Sequence, residues 1–193
     1  LSTLNVGEFY LYGHSCATML ATDYYLKSLD GITGMILASP CLSAQMWISD
    51  ADTLISALPD SIQLVLEQSR ENLVTDTAKL AAAIEVYGNN FYNRKQPLSE
   101  DLAKSNAETG KNVYEYMWGK SEFSASGTLK DYDRTADLEK IKIPVLYTTG
   151  EFDAARPGTV KQYSALTPNS QFVIIKGAGH STMHDNVAAE MAA

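Results

Sequence analysis

Short apolar runs and longer amphipathic segments alternate at both ends of the 193-residue chain. A parallel strand buried on both faces is almost continuously apolar, whereas a helix on a core has apolar residues every three or four positions. Runs of the first kind occur at residues 8–12, 34–38, 143–149 and 171–175. Helical spacing follows at residues 16–29, at 159–166 and from residue 185 onward. This alternation predicts an α/β fold, with a parallel sheet flanked by helices.

The middle of the chain has a different pattern, because helical spacing continues there without a good strand candidate. Amphipathic segments lie at residues 44–58, 61–71, 74–90, 99–109 and 111–118. We therefore predict three parts. Residues 1–42 and 137–193 form the two pieces of a parallel α/β core, and residues 43–136 form a helical lid inserted between them.

Charge and composition narrow the range of partners. The formal net charge is −8 at pH 7, and an acidic surface repels phosphate backbones and anionic lipids. We therefore expect neither nucleic acid nor a membrane as a partner. No apolar run approaches the roughly 20 residues of a membrane helix, and residues 1–7 lack the features of a signal peptide. We expect a cytoplasmic protein without a metal or cofactor, although the chain begins with Leu1 and not with Met.

The first candidate for chemistry is the pentapeptide Gly13-His-Ser-Cys-Ala17, which ends a predicted strand and begins a helix. A serine among small residues at such a turn is typical of a nucleophile elbow, usually Gly-x-Ser-x-Gly. The backbone N–H of Cys16 lies where an oxyanion would form. Ala17 replaces the last glycine and adds one methyl group. The alternative is an ordinary strand–helix turn in which Ser15 caps the helix.

Two further candidates follow the last two predicted strands. Asp153 comes after the strand at 143–149, and His180 comes after the strand at 171–175. The carboxyl ends of parallel strands meet at one edge of the sheet, where α/β proteins place their sites. A carboxylate there can orient a histidine, which acts as base and acid near neutral pH.

Each of these residues has an alternative when it is taken alone. Asp153 is typical of a turn or a helix cap, and Glu151 is a rival carboxylate. His184 lies one helical turn after His180, but a metal pair there lacks a third ligand. We expect the side chain of His14 to point away from the site. The three candidates together are more specific, because the chain order Ser15, Asp153, His180 is that of the α/β-hydrolases, which place a lid between the nucleophile and the acid.

Several segments of this chain resemble the proline iminopeptidases. The segment Gly13-His-Ser-Cys-Ala-Thr-Met-Leu-Ala21 resembles their elbow, GHSWGGMLA, and Leu37-Ala-Ser-Pro-Cys-Leu-Ser43 resembles the start of their lid. Residues 116–123 and 127–135 are similar to the family's MWGPSEF and GTLKDWDRT segments. The resemblance covers essentially the whole chain. It implies an α/β-hydrolase fold and the release of an amino-terminal residue, often proline, from short peptides.

The resemblance also implies roles for individual residues. Ser15 would attack the carbonyl, His180 would move the proton, and Asp153 would hold the tautomer of His180. Glu122 matches a position that binds the free ammonium of the substrate, and Tyr116 and Trp118 would form walls of an apolar pocket. The alternatives are a solvated glutamate in the lid and two aromatic residues of the lid core.

The chain departs from the family in ways that leave other functions open. Ala154 stands where relatives often carry a second amine-binding glutamate, and Ala17-Thr18 stands where they have two glycines. The HGGPG segment, which donates the second oxyanion N–H in the family, is absent from this sequence. It belongs to another chain, lies upstream of Leu1, or is missing from a natural remnant. An esterase or amidase is therefore one alternative. A non-catalytic remnant that pairs with a complementary amino-terminal chain, or with its own copies, is another.

Overall fold

The computed structural model describes residues 6–28, 30–71 and 73–193, in which four strands form one parallel sheet. The strands lie side by side in chain order: β1 (Phe9–His14), β2 (Ile32–Ala38), β3 (Val145–Gly150) and β4 (Ser170–Ile175). The register places Leu37 of β2 between Gly13 of β1 and Tyr147 of β3. Each strand overlaps one predicted apolar run, and the predicted α/β fold with a parallel sheet is confirmed.

The main hydrophobic core lies on one face of the sheet. Helix α1 (Ala17–Lys27) connects β1 to β2 and contributes Met19 and Tyr25 to this core. Leu37 and Tyr147 contribute from the sheet and are completely buried. This burial explains why the central strands are almost continuously apolar.

The opposite face of β1 is open to solvent in the described part of the chain. Tyr10 and Tyr12 alternate with the core-facing residues of the strand, and they are 72 % and 52 % exposed. The two tyrosines explain why the first predicted strand is rich in aromatic residues without being buried on both faces.

In the described residues between β2 and β3, five α-helices lie where helical spacing predicts them. They are α2 (Ala44–Ile55), α3 (Asp60–Arg70), α4 (Thr77–Phe91), α5 (Glu100–Ala107) and α6 (Lys111–Met117). The side chains of Ser43, Asp76 and Ser99 accept backbone N–H bonds and begin α2, α4 and α5. A second core, which includes Leu66, Tyr87 and Phe123, forms within this region. The division of the chain into three parts stays a prediction.

The last part of the chain differs in detail from the prediction. A short 3₁₀ helix (Thr135–Lys140), which apolar spacing does not predict, precedes β3, and α7 (Pro157–Leu166) connects β3 to β4. The helix predicted from residue 185 onward corresponds to α9 (Val187–Ala192), and a short helix that the spacing does not predict, α8 (Thr182–Asp185), precedes it. They are separate because Asn186 leaves the helical conformation and its side chain caps α9 at Ala189. In the described ranges, no helix combines the length and the apolar character that a bilayer crossing requires.

Candidate active site

Ser15 occupies a sharp turn between β1 and α1. Its φ is +55°, a left-handed conformation that costs an L-residue about 1–2 kcal/mol. Its N–H donates to the carbonyl of Ala38 at 3.0 Å, and its carbonyl accepts the Thr18 hydroxyl at 2.6 Å. Gly13 is needed here, because a Cβ would lie 2.8 Å from the carbonyl oxygen of Ala17. The turn has the geometry that a nucleophile elbow requires, with Ser15 at its tip.

Cys16 is the residue directly before α1. Its backbone N–H therefore lies at the amino terminus of that helix, where the first N–H groups have no acceptor within the helix. Burial, and after it the negative charge of Glu122, raises the pKa of the Cys16 thiol. The charge of Glu122 therefore acts close to the elbow.

Asp153 lies in the turn after β3, where it is completely buried. Five donor groups lie within hydrogen-bond distance of its two carboxylate oxygens. Oδ1 faces the N–H of Ala155 at 2.8 Å and Nδ1 of His180 at 2.7 Å, while Oδ2 faces the hydroxyls of Ser39 at 2.6 Å and Thr149 at 3.0 Å and the N–H of Gly150 at 3.0 Å. A buried carboxylate requires such compensation, because burial without partners disfavours its charge.

The pKa of Asp153 reflects this balance. Burial by itself raises it, but the charge and hydrogen bond of His180, together with the hydrogen bonds from Ser39 and Gly150, outweigh burial. The pKa of this carboxyl therefore lies below its usual value, and Asp153 is ionised at neutral pH.

His180 lies in the loop between β4 and α8, and only 4 % of its surface is exposed. Because Nδ1 donates to Asp153, the other ring nitrogen, Nε2, is left without a proton in the neutral form. Nε2 is buried and has no hydrogen-bond partner among the residues that the structure describes. Three rings surround that of His180, with centroids at 4.8 Å (Tyr92), 4.9 Å (His14) and 5.4 Å (Trp47). The imidazole is held firmly with one basic nitrogen free.

The position of His14 differs from the sequence prediction. Its side chain does not point away from the site, because the strand direction turns it toward the loop of His180. Its Nε2–H donates to the carbonyl of His180 at 2.8 Å. Burial, followed by the charge of His180, lowers the pKa of His14 to about 4. His14 is therefore neutral at pH 7 and ties the serine turn to the histidine loop.

Sequence analysis missed Ser39, which directly follows β2 and is completely buried. Its φ of +47° is left-handed, like that of Ser15. Its hydroxyl lies 2.6 Å from Oδ2 of Asp153 and 3.1 Å from the carbonyl of His180. The only signal in the sequence is its place, since it follows the strand that neighbours the elbow strand.

Glu122 lies between α6 and the 3₁₀ helix, within the predicted lid, and is half-buried. Its carboxylate accepts the hydroxyl of Tyr92 at 2.8 Å and also the hydroxyl of Tyr114. The ring of Tyr92 packs on His180, so a single tyrosine side chain separates Glu122 from the imidazole. Each carboxylate oxygen has two lone pairs, so Glu122 keeps capacity to accept a further donor.

A cavity of about 550 Å³ opens beside Glu122, within the usual size range of small-molecule pockets. Its walls include residues of both the charged and the apolar kind: Glu122, Tyr92, Tyr87, Phe123, Ile84 and Leu80. Neither Tyr116 nor Trp118 is among the described residues that line it. Tyr116 is 72 % exposed, while Trp118 is 2 % exposed and packs edge-on against Trp47 in the main core.

Known proteins are similar to this chain in both sequence and fold. A proline iminopeptidase of Heyndrickxia coagulans is 41 % identical over 178 residues, which are 92 % of this chain and 62 % of that protein. The enzyme of the same name from Thermoplasma volcanium is 26 % identical over 93 % of this chain and 61 % of its own length. The chain thus spans about 62 % of the length of the first of these relatives. The resemblance to proline iminopeptidases is confirmed.

Solved structures agree with the fold. The crystal structure of VinJ superposes with a TM-score of 0.89 at 26 % identity, over all of this chain and 67 % of VinJ. A proline iminopeptidase of Mycobacterium smegmatis superposes with a TM-score of 0.86 at 24 % identity, over 98 % of this chain and 66 % of that one. The sequence profile of the alpha/beta hydrolase fold matches residues 1–187. Since this match includes nearly all of the sequence, the chain belongs to the alpha/beta hydrolase fold family.

Proposed function

We propose that this chain is a serine hydrolase in which Ser15, His180 and Asp153 form the catalytic triad. The hydrogen bonding of the two ring nitrogens of His180 is the main support for this proposal. Its Nδ1 is fixed by a buried carboxylate, while its Nε2 is buried and has no hydrogen-bond partner, Ser15 included, in the described part of the chain, so it can accept a proton from a nucleophile that closes on it. A strained serine turn lies beside it, tied to the same loop through His14.

In the proposed reaction, Oγ of Ser15 attacks the substrate carbonyl while Nε2 of His180 takes the hydroxyl proton. Asp153 stabilises the imidazolium that forms and fixes its tautomer. His180 then returns the proton to the leaving amine, and an acyl-enzyme remains. Water, activated by the same nitrogen, releases the product and restores Ser15.

The N–H of Cys16 is the proposed oxyanion donor of this chain. Acyl-transfer enzymes usually provide a pair of donors, and removal of one costs about 10²–10³ in kcat. The pair matters because charge develops on the carbonyl oxygen only as the transition state forms. Activity is therefore best measured in the protein with every segment that it naturally carries.

We propose that the substrate is a short peptide with a free amino terminus, often proline, and that Glu122 binds its ammonium. Glu122 is one tyrosine side chain from His180, and its charge is felt at Cys16, which directly follows the nucleophile. In an aminopeptidase substrate only one carbon separates the ammonium from the scissile carbonyl, so the anchor has to be near the triad. The names of the curated relatives agree with this substrate class.

An esterase or amidase without an amine requirement is the second candidate. One observation favours it: the residue after Asp153 is Ala154, a buried alanine, so no second carboxylate is supplied at this position. Among the described residues, Glu122 would then be the only carboxylate proposed for the amine site. Its two oxygens already accept tyrosine hydroxyls.

A fluorophosphonate probe tests whether the chain is a serine hydrolase. We expect covalent labelling of Ser15 in the native protein and none in the Ser15→Ala variant, because only the hydroxyl can attack phosphorus. Tandem mass spectrometry of the labelled peptide identifies the site. Absence of labelling in protein with all of its natural segments would sink the enzymatic proposals and favour a non-catalytic remnant.

The Glu122→Gln variant separates the two candidate substrates. An ammonium bound to a carboxylate loses a charge-assisted hydrogen bond, so kcat/KM for proline β-naphthylamide should fall about 10–100-fold. An acyl ester of similar size has no ammonium, and its kcat/KM should stay within about threefold. Glu85→Gln, an exposed carboxylate of α4, is the matched control. Equal losses on both substrates would contradict the amine-anchor role.

A further inference from the structure

Asp185, the last residue of α8, accepts hydrogen bonds from two segments that are far apart in the chain. Its Oδ2 accepts from the N–H of Gly179 at 2.7 Å and from the N–H of Arg94 at 3.1 Å. Its Oδ1 accepts from the N–H of Lys95 at 2.9 Å. Gly179 directly precedes His180, while Arg94 and Lys95 follow the lid helix α4. One carboxylate therefore joins the lid to the histidine loop.

Backbone hydrogen bonds between the same two segments extend this junction. The N–H groups of His180 and Ser181 donate to the carbonyls of Phe91 and Tyr92, each at 2.9 Å. The approach is close, since a Cβ on Gly179 would lie 2.9 Å from the carbonyl oxygen of Phe91. The two chain segments thus lie against each other for several residues, and no side chain fits between them at this point.

Side chains reinforce the same junction. Nε2–H of His184 donates to the carbonyl of Lys95 at 2.9 Å. The guanidinium of Arg94 lies over the ring of Phe152, 3.8 Å from its centroid. Phe152 directly precedes Asp153. The segment that follows α4 is consequently attached to the loops of both the acid and the histidine.

The junction also contains the residue that links the triad to the cavity. Tyr92 places its ring on His180 and donates its hydroxyl to Glu122. Its backbone carbonyl is one of the acceptors in the junction, two residues before Arg94. Whatever fixes the backbone of residues 91–95 therefore fixes the distance between the imidazole and the proposed amine anchor.

From these contacts we infer that Asp185 is a positioning residue, which holds the lid pocket in register with His180. The inference rests on the proposed function. Asp185 is not among the described residues that line the cavity beside Glu122, and it acts through the backbone of Gly179, Arg94 and Lys95. His180 keeps its own attachment to Asp153, so loss of Asp185 displaces the pocket more than the imidazole.

The Asp185→Asn variant tests this role. Asparagine keeps one acceptor oxygen but turns an N–H₂ group toward backbone donors, so at least one of the three bonds is lost. For proline β-naphthylamide, kcat/KM should fall about 10–100-fold, mostly through KM, because a displacement of about 1 Å has this effect on a positioned substrate. For p-nitrophenyl acetate, which does not need the pocket, the loss should stay within about threefold. Glu85→Gln should leave both substrates unchanged.

Hydrogen exchange followed by mass spectrometry gives a readout that does not depend on activity. In Asp185→Asn, residues 91–96 and 177–181 should lose protection together, while β2, which is hydrogen-bonded to β1 and β3, keeps its protection. Loss of protection in one segment alone, or equal kinetic losses on both substrates, would overturn the inference. If the variant does not fold, the inference is tested on the wild-type protein. Rapid exchange of the Lys95 and Gly179 amides there would also overturn the inference. A wild-type protein that hydrolyses neither substrate would contradict the proposed function and leave the exchange test intact.

Discussion

The two halves of the candidate site are held by different means. Asp153 and His180 are almost completely buried. Four donor groups of other residues lie within hydrogen-bond distance of the carboxylate, and three aromatic rings surround the imidazole. Ser15 is only half-buried, and it is held by its own left-handed backbone and by hydrogen bonds of its peptide groups. The side chain of the acid is therefore fixed by polar contacts, while the side chain of the serine is presented by backbone geometry.

The difference follows from what each half does in the proposed reaction. A buried carboxylate retains its charge only if donors compensate it, and a histidine is useful as a base only in one tautomer and one orientation. A nucleophile needs the opposite, since its oxygen must be free to form a bond. Strain stored in the turn meets this need without a side-chain contact. Substitutions in the two halves should therefore have different consequences for rate, pH dependence and stability.

The largest effect is expected for Asp153→Asn. The amide keeps the shape of the carboxylate but favours the wrong tautomer of His180 and cannot stabilise its positive charge. We expect kcat to fall by about 10⁴, as for the equivalent substitution in the chymotrypsin-type triad. Steady-state hydrolysis of an activated ester measures it, with circular dichroism as the control for folding. A loss of less than tenfold would remove Asp153 from the triad.

Lowering the pH should destabilise the chain through His14, which links the two halves of the candidate site. An unfolded histidine has a pKa near 6.5, and that of His14 is lowered to about 4 in the folded chain. Between these pH values the unfolded chain binds a proton that the folded chain excludes, so stability falls as the pH drops from about 6.5 to 4. The loss should reach about 2–3 kcal/mol, because one pKa unit corresponds to about 1.4 kcal/mol.

The control for this prediction is His14→Gln, which keeps an N–H donor for the carbonyl of His180 but does not titrate. Urea unfolding at several pH values gives the free energy of unfolding for both proteins. The difference between them should change across this pH range and be constant above pH 7. A constant difference throughout would mean that His14 titrates normally in the folded chain.

A smaller effect is expected for Ser39→Ala. It removes one donor from the buried carboxylate of Asp153 while four remain, so kcat should fall about 3–10-fold, the size of one hydrogen bond to a charged group at its low end. The profile of the free energy of unfolding against pH should also change. On acidification, the stability that ionised Asp153 contributes should be lost at a higher pH, because the hydrogen bond from Ser39 helps to keep the pKa of Asp153 low. Ser39→Gly, which also lacks the hydroxyl but adopts a φ of +47° without strain, should lose the same rate and so separates the role of the hydroxyl from that of the backbone. A pH profile identical to that of the wild type would contradict this role.

The smallest effect is expected for two substitutions of Ser15, which test whether the backbone of the serine half is strained. Ser15→Gly and Ser15→Ala both remove the nucleophile, but only glycine adopts a φ of +55° without strain. We expect the glycine variant to be more stable than the alanine variant by about 1 kcal/mol, as measured by thermal or urea unfolding. Equal stability would mean that the turn stores no strain.

Much of this architecture follows from local pattern. The apolar runs predict all four described strands, and the amphipathic segments predict α1 to α7. Boundaries depend on contacts that spacing does not contain, such as the cap of Asn186 that separates α8 from α9. The candidate triad is also visible in the sequence, because a serine two residues after a glycine, an aspartate and a histidine each follow a strand in one chain order. The edge where parallel strands end brings such residues together in any fold of this class.

The sequence by itself determines the α/β class, the helical region between β2 and β3, and the residues Ser15, Asp153 and His180 as the candidates for chemistry. These depend on periodicity and on residue type, which are local properties. The tertiary structure alone decides that Ser39 and His14 contact the loop of His180, that Tyr116 is exposed, and that Asp185 joins the segment after α4 to that loop. Each of these depends on a contact between residues distant in the chain, and no short-range pattern specifies which distant donor a buried carboxylate will meet.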